Sequence, residues 1–171
     1  MGFDKKDNII GIKMNHWQRF DAICQAMADP AFYPHSVSCL ERRDTHISSV
    51  FLTGKWVYKL KKPVNFGFLD FRQLDKRRVF CEREVHLNRR LSKGVYQEVI
   101  KIFRGEDGRF SVEENGQVVE YGVKMRQLPG AASLRERLRK HAIRQEHMKK
   151  LGQRLAAFYE KSQRSPQIDH Y

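Results

Sequence analysis

The stretch ISSVFLTGKWVYKLKKPVNFGFLDF, residues 47–71, decides the fold of this chain. It is rich in β-branched and aromatic residues, and a Thr-Gly pair at 53–54 divides it where a tight turn fits. We expect strands at 47–52 and 56–61, and Pro63 ends the second strand because proline cannot donate a hydrogen bond to a neighbouring strand. The stretch therefore predicts a β-hairpin followed by an apolar loop.

Further elements on both sides of this hairpin complete an α+β pattern. Apolar residues at helical spacing predict helices, and β-branched residues between Asp-Gly and Asn-Gly turn signals predict strands. The predicted helices lie at 16–28, 71–91 and 143–162, with a short one opened by a capping box of Ser133 and Glu136, and the further strands lie at 36–41, 96–103, 109–114 and 117–125. We expect an antiparallel sheet with a long packed helix, followed by carboxyl-terminal helices.

Length and composition restrict the class of protein. The chain has 171 residues, 40% of them hydrophobic, which suits a globular domain of ordinary size. It contains no run of about 20 apolar residues, and its start, MGFDKKDNII, lacks the apolar segment of a signal peptide. We therefore predict a cytoplasmic protein that does not enter a membrane. Lys and Arg number 33 against 20 Asp and Glu, a net charge of +13 that favours an anionic partner.

A carboxylate in the long predicted helix is the first sign of a site. Phe80, Leu87 and Leu91 follow one face at helical spacing, and Glu84 occupies the remaining position of that face. An unpaired carboxylate on an apolar face is strongly unfavourable, so either a cation lies beside it or the face ends at water. The helix alone leaves both interpretations open.

The preceding strand offers the cation. Strand alternation in WVYKLK, residues 56–61, puts Val57, Lys59 and Lys61 on one face. A lone strand lysine more often lies on a solvated face. Protein kinases, however, hold ATP phosphates with a strand lysine that a glutamate of the following helix orients. We predict that the ammonium group of Lys59 lies within salt-bridge distance of Glu84, with Lys61 as the alternative.

Three strings of sequence carry a resemblance to a known family: THISSVFLTGKWVYKLKKPVNFGFLDF, RRVFCEREVHLNRRL and VEYGVKMRQLPG. They resemble the amino-terminal lobe of the aminoglycoside-phosphotransferase-like family, within the protein-kinase-like fold, and look most like the bacterial bifunctional aminoglycoside phosphotransferase/ATP-binding proteins. The resemblance implies that ATP is the cofactor, that Lys59 contacts its phosphates and that Glu84 orients Lys59. It also implies a hinge with Met125, Arg126 and Leu128, whose backbone receives adenine.

The resemblance divides the chain into two parts. Residues 1–128 would form a nucleotide-binding lobe with a helical lead-in at 15–28. Residues 129–171 would be the truncated start of a helical second lobe.

Two departures from the family pattern limit the expected activity. The turn at 44–49 contains no glycine, so the hydroxyl groups of Thr45, Ser48 and Ser49 are the expected donors to phosphate. No histidine is followed two residues later by an aspartate, so the sequence lacks the H-x-D motif that supplies the catalytic base. We expect an ATP-binding lobe that is inactive by itself, and whether the chain is an enzyme stays open.

Two other functions also stay open. A pseudokinase-like scaffold would keep the lobe as a binding surface. A basic nucleic-acid-binding protein would explain the net charge, but no motif of a recognition fold is present. The predicted helix at 143–162 carries an apolar stripe of Met148, Leu151, Leu155 and Phe158, so we expect the chain to self-associate through this helix or to pack it against the sheet.

Overall fold

The computed structural model describes residues 14–162, and its fold is α+β, as predicted. The chain divides into two compact units between Gln127 and Leu128. The first unit contains the strands β1 Glu41–Asp44, β2 Ser48–Leu52, β3 Trp56–Lys61, β4 Tyr96–Arg104, β5 Phe110–Ser111 and β6 Gln117–Arg126. It also contains the helices α1 His16–Ala26 and α2 Leu74–Arg89, and the second unit contains α3 Leu134–Arg139 and α4 Gln145–Glu160.

The strands form one antiparallel sheet in the order β1-β2-β3-β6-β4-β5. The helix α2 connects β3 to β4, and β6 then lies between these two strands. The predicted hairpin is confirmed, with Val50 opposite Lys59 and Ser48 opposite Lys61. In its turn, Gly54 has a φ of +91°, a backbone conformation that glycine adopts far more readily than other residues.

Apolar side chains are buried on both faces of the sheet. On one face, α1 contributes Phe20, Ile23 and Cys24 to a large buried cluster. The other members of this cluster are Met27, Tyr33, Phe51, Tyr58, Leu60, Ile100, Ile102 and Val119. On the other face, α2 packs through a smaller cluster of Cys81, Val85 and Val123. The two helices therefore cover opposite faces of the sheet.

The strand predicted at 36–41 is wrong in position. Residues 36–40 are irregular, and β1 begins at Glu41. Val37 and Leu40 still pack against the large cluster, so their apolar character reflects burial and not strand pairing. The real strand is charged and exposed because it lies at the edge of the sheet, where charged residues hinder pairing with another chain. The strand predicted at 56–61 is present with the predicted ends, the other predicted elements are present with shifted ends, and the strand predicted at 109–114 is reduced to β5.

The buried face of α2 also differs from the predicted one. Arg77, Cys81 and Val85 are buried at intervals of four residues, whereas Leu87 is exposed. An apolar periodicity could not identify this face because one of its three buried residues is an arginine. Glu84 lies next to this face and is half-buried.

The described residues of the second unit, 128–162, contain the two α-helices α3 and α4. Ser133 Oγ accepts a hydrogen bond from the backbone N–H of Glu136 at 3.3 Å, which confirms the N-cap half of the predicted capping box. The other half is not formed, because the backbone N–H of Ser133 donates to the carbonyl oxygen of Gly130 at 3.1 Å. Met148, Leu151 and Leu155 of α4 are exposed, and self-association through this helix stays a prediction. None of the helices within residues 14–162 has the length and apolar character needed to cross a membrane.

Candidate functional site

Two lysines of β3 and one glutamate of α2 meet on the face of the sheet that α2 covers. Lys59 Nζ lies 2.8 Å from Glu84 Oε1, and Lys61 Nζ lies 2.6 Å from Glu84 Oε2. The predicted contact between Lys59 and Glu84 is confirmed, and Lys61, the alternative, makes a second contact of the same kind. Each oxygen of the carboxylate therefore has its own ammonium partner.

Strand alternation and helix docking bring these three side chains together. Lys59 and Lys61 share a face because side chains alternate along a strand. Cys81 and Val85 dock α2 on Val123 of β6, the strand next to β3. Glu84 is thereby held within reach of both lysines.

The three side chains differ in exposure to solvent. The exposed fraction is 27% for Lys59, 13% for Glu84 and 7% for Lys61. Burial alone would raise the pKa of Glu84, but hydrogen bonds from the two lysines lower it below its ordinary value. Glu84 is therefore ionised at neutral pH, and two ammonium groups facing one carboxylate leave an excess of positive charge.

A half-buried apolar strip continues from the lysines along the same face. Val57 precedes Lys59 by two residues, which is about 7 Å along a strand. Its cross-strand neighbours are Leu52 and Met125, and Lys59 itself pairs with Val50. All four apolar residues are half-buried. This face therefore combines a partly accessible apolar surface with ammonium groups.

The turn between β1 and β2 holds two of the predicted phosphate donors. Thr45 is exposed, and its hydroxyl group donates to the carbonyl of Ser48 at 3.2 Å and accepts from the backbone N–H of Ser48 at 3.0 Å. Ser48 is buried on the same face as Lys61, its cross-strand neighbour. Within the described part of the chain, the Ser48 hydroxyl has no hydrogen-bond partner. The Thr45 hydroxyl therefore closes the turn, whereas the Ser48 hydroxyl forms no hydrogen bond within residues 14–162.

The third hydroxyl group of this segment is engaged elsewhere. Ser49 Oγ donates to Asp44 Oδ1 at 2.5 Å, and Asp44 also forms ion pairs with Arg42 and Lys62. Burial alone would raise the pKa of Asp44, but hydrogen bonds from these three residues lower it to about 2. The negative charge of Asp44 is thus balanced locally.

The residues of the predicted hinge lie at the end of β6 and just after it. Met125 is half-buried, whereas Arg126 and Leu128 are exposed. The backbone N–H groups of Arg126 and Gln127 donate to carbonyl oxygens within the first unit, at 2.8 and 2.9 Å. These two amides are engaged in the sheet, and the contact of this hinge with adenine stays a prediction.

A second buried ion pair was not predicted. Arg77 Nε donates to Glu120 Oε1 at 2.8 Å, and the same guanidinium donates to the carbonyl oxygens of Phe71 and Arg72. Glu120 interrupts the apolar sequence of β6. Glu120 carries the same signal in the sequence as Glu84, because a carboxylate among apolar residues needs a cation.

Comparisons with known proteins extend to part of the chain. No family model matches it, and no solved structure matches it. A segment of 57 residues, 33% of the chain, is 42% identical to uncharacterized proteins of Mycobacterium bovis and Mycobacterium tuberculosis. This match spans 11% of the length of each of these relatives.

Proposed function

We propose that this chain contributes the ATP-binding lobe of a small-molecule phosphotransferase with a kinase-like fold. The observation that carries the proposal is the contact of 2.8 Å between Lys59 on the third strand and Glu84 on the helix that follows. Protein kinases hold ATP phosphates with a lysine and a glutamate from the same two elements. The resemblance of the sequence to the aminoglycoside-phosphotransferase-like family supports the same assignment.

The side chains on this face are of the chemical types that bind ATP. The apolar strip of Leu52, Val57 and Met125 suits a planar base, and the excess positive charge beside it suits phosphates. We assign the strip to adenine and Lys59 to the phosphates. ATP would supply the phosphoryl group, and these residues would bind and orient it.

Isothermal titration calorimetry of the full chain with Mg·ATP tests this function. We expect Lys59→Met to weaken ATP binding by about 10- to 100-fold, because hydrogen bonds to charged groups contribute about 1.5–3 kcal/mol. Lys101→Met, which replaces an exposed lysine of β4, is the matched control and should leave the affinity unchanged. A wild-type chain that does not bind ATP at millimolar concentration would contradict the proposal.

Two further measurements test the expected inactivity and the nucleic-acid-binding alternative. We expect no phosphotransferase turnover from this chain with Mg·ATP and aminoglycosides, because its sequence has no H-x-D motif. Binding to duplex DNA that weakens steeply with salt, in the absence of ATP binding, would instead favour a nucleic-acid-binding protein.

A further inference from the structure

Glu84 has two cationic partners where one would neutralise it. Lys61 is the more deeply buried lysine, and its Nζ lies 5.2 Å from the centre of the Phe71 ring. This cation–π contact and the surrounding protein restrict its movement. Lys59 is the most exposed of the three charged side chains and lies at the accessible edge of the cluster.

Among residues 14–162, the groups that neighbour this cluster do not offset the second lysine. Glu120 is paired with Arg77. Burial raises the pKa of the Cys81 thiol to about 12, so this group is neutral at physiological pH. Ser48, opposite Lys61 in the sheet, is uncharged. The excess positive charge is therefore available to an anion.

We propose that the two lysines have separate roles, an inference that rests on the proposed function. Lys59 keeps its hydrogen bond to Glu84 and turns its remaining N–H donors to the phosphates of ATP, while Lys61 supplies the charge that compensates the buried carboxylate. Without Lys61, the carboxylate and the phosphates would compete for the single charge of Lys59. Lys61 is thus a positioning residue that acts on the ligand through Glu84.

A double-mutant cycle on the full chain tests this division of roles. We expect Lys61→Met to weaken Mg·ATP binding by about 10-fold, because Glu84 and the phosphates then share the single charge of Lys59. Adenosine binding should not change, since adenosine has no phosphate for Lys59 to contact. In the Glu84→Gln background, Lys61→Met should weaken ATP binding by less than about twofold, because no carboxylate remains to be compensated.

The outcomes distinguish this inference from the proposed function. If Lys61→Met weakens ATP binding as much in the Glu84→Gln background as in the wild type, Lys61 contacts phosphate directly. That result would overturn the inference and leave the proposed function intact. Absence of ATP binding by the wild-type chain would overturn both.

Lysine-selective NMR of the wild-type chain provides a second test, in which variants serve only to assign the signals. Titration with inorganic tripolyphosphate should shift the side-chain signal of Lys59 and leave that of Lys61 nearly unchanged. Lys59→Arg identifies the Lys59 signal and Lys61→Arg identifies the other. A larger shift at Lys61 would overturn the division of roles.

Discussion

Two ion clusters join α2 to the sheet, and they differ in charge balance and in access to solvent. Arg77 and Glu120 form a one-to-one pair whose side chains are only 4% and 2% exposed. Glu84 instead has two lysine partners, and Lys59 is partly exposed. The first cluster is closed and neutral, whereas the second is open on one side and carries excess positive charge.

This difference separates structural support from a candidate binding site. Glu120 accepts a hydrogen bond from the backbone N–H of Tyr121 at 2.9 Å as well as the one from Arg77, so its cluster is satisfied internally. Burial raises the pKa of Glu120 despite Arg77, whereas the hydrogen bonds from two lysines lower the pKa of Glu84 despite burial. An excess of cations at an accessible edge is the feature that attracts an anionic ligand.

Breaking the closed cluster should have the largest effect. Arg77→Met leaves Glu120 buried without its cation, and loss of one partner of a buried pair typically costs about 3–5 kcal/mol in the free energy of unfolding. Arg78→Met, at an exposed position of the same helix, is the matched control and should cost less than about 0.5 kcal/mol. Urea denaturation measures both. Similar values for the two variants would show that the pair between Arg77 and Glu120 does not hold α2 on the sheet.

Two neighbouring hydroxyl groups of β2 provide a smaller contrast between a satisfied and an unsatisfied group. Ser49→Ala removes a donor to Asp44 and should lower the free energy of unfolding by about 1–2 kcal/mol. Ser48→Ala removes a hydroxyl group that has no partner among residues 14–162, so it should be neutral or slightly stabilising. The same denaturation experiment compares them. A marked loss of stability in Ser48→Ala would mean that this hydroxyl has a partner.

The smallest expected effect is a difference in pH dependence between the two glutamates. Because its pKa is lowered, Glu84 stabilises the fold above its ordinary value near 4.5, and this contribution is lost as the pH falls below that value. Because its pKa is raised, Glu120 contributes most to the free energy of unfolding at pH values below its ordinary pKa. This contribution is lost as the pH rises through the raised pKa.

Denaturation of Glu84→Gln and Glu120→Gln at a series of pH values measures this difference. The stability lost in Glu84→Gln, relative to the wild type, should grow as the pH rises to about 4.5. The stability lost in Glu120→Gln should shrink as the pH rises further. Parallel profiles for the two variants would show that charge balance does not distinguish the clusters.

Much of the fold could be predicted from local patterns. The position of Glu84 in the site was also predicted, although the predicted buried face of α2 differs from the true one. Glu84 was identified as a carboxylate on an apolar face, yet the true buried face of α2 contains Arg77 and not Leu87. Glu84 still meets the lysines because it lies beside the true buried face of α2. Glu120 is also a carboxylate among apolar residues, but no motif of the sequence indicates that Arg77 is its cation.

The sequence by itself determined that Lys59 and Lys61 share one face, because side chains alternate along any strand. It also determined the turn at Gly54 and the amphipathic character of α4. The kinase pattern already predicted that Lys59 meets Glu84, 25 residues away. Only the tertiary structure decided that Arg77 meets Glu120, 43 residues away. Contacts at such separations depend on how α2 docks on the sheet, and the packing of Cys81 and Val85 against Val123 sets that position.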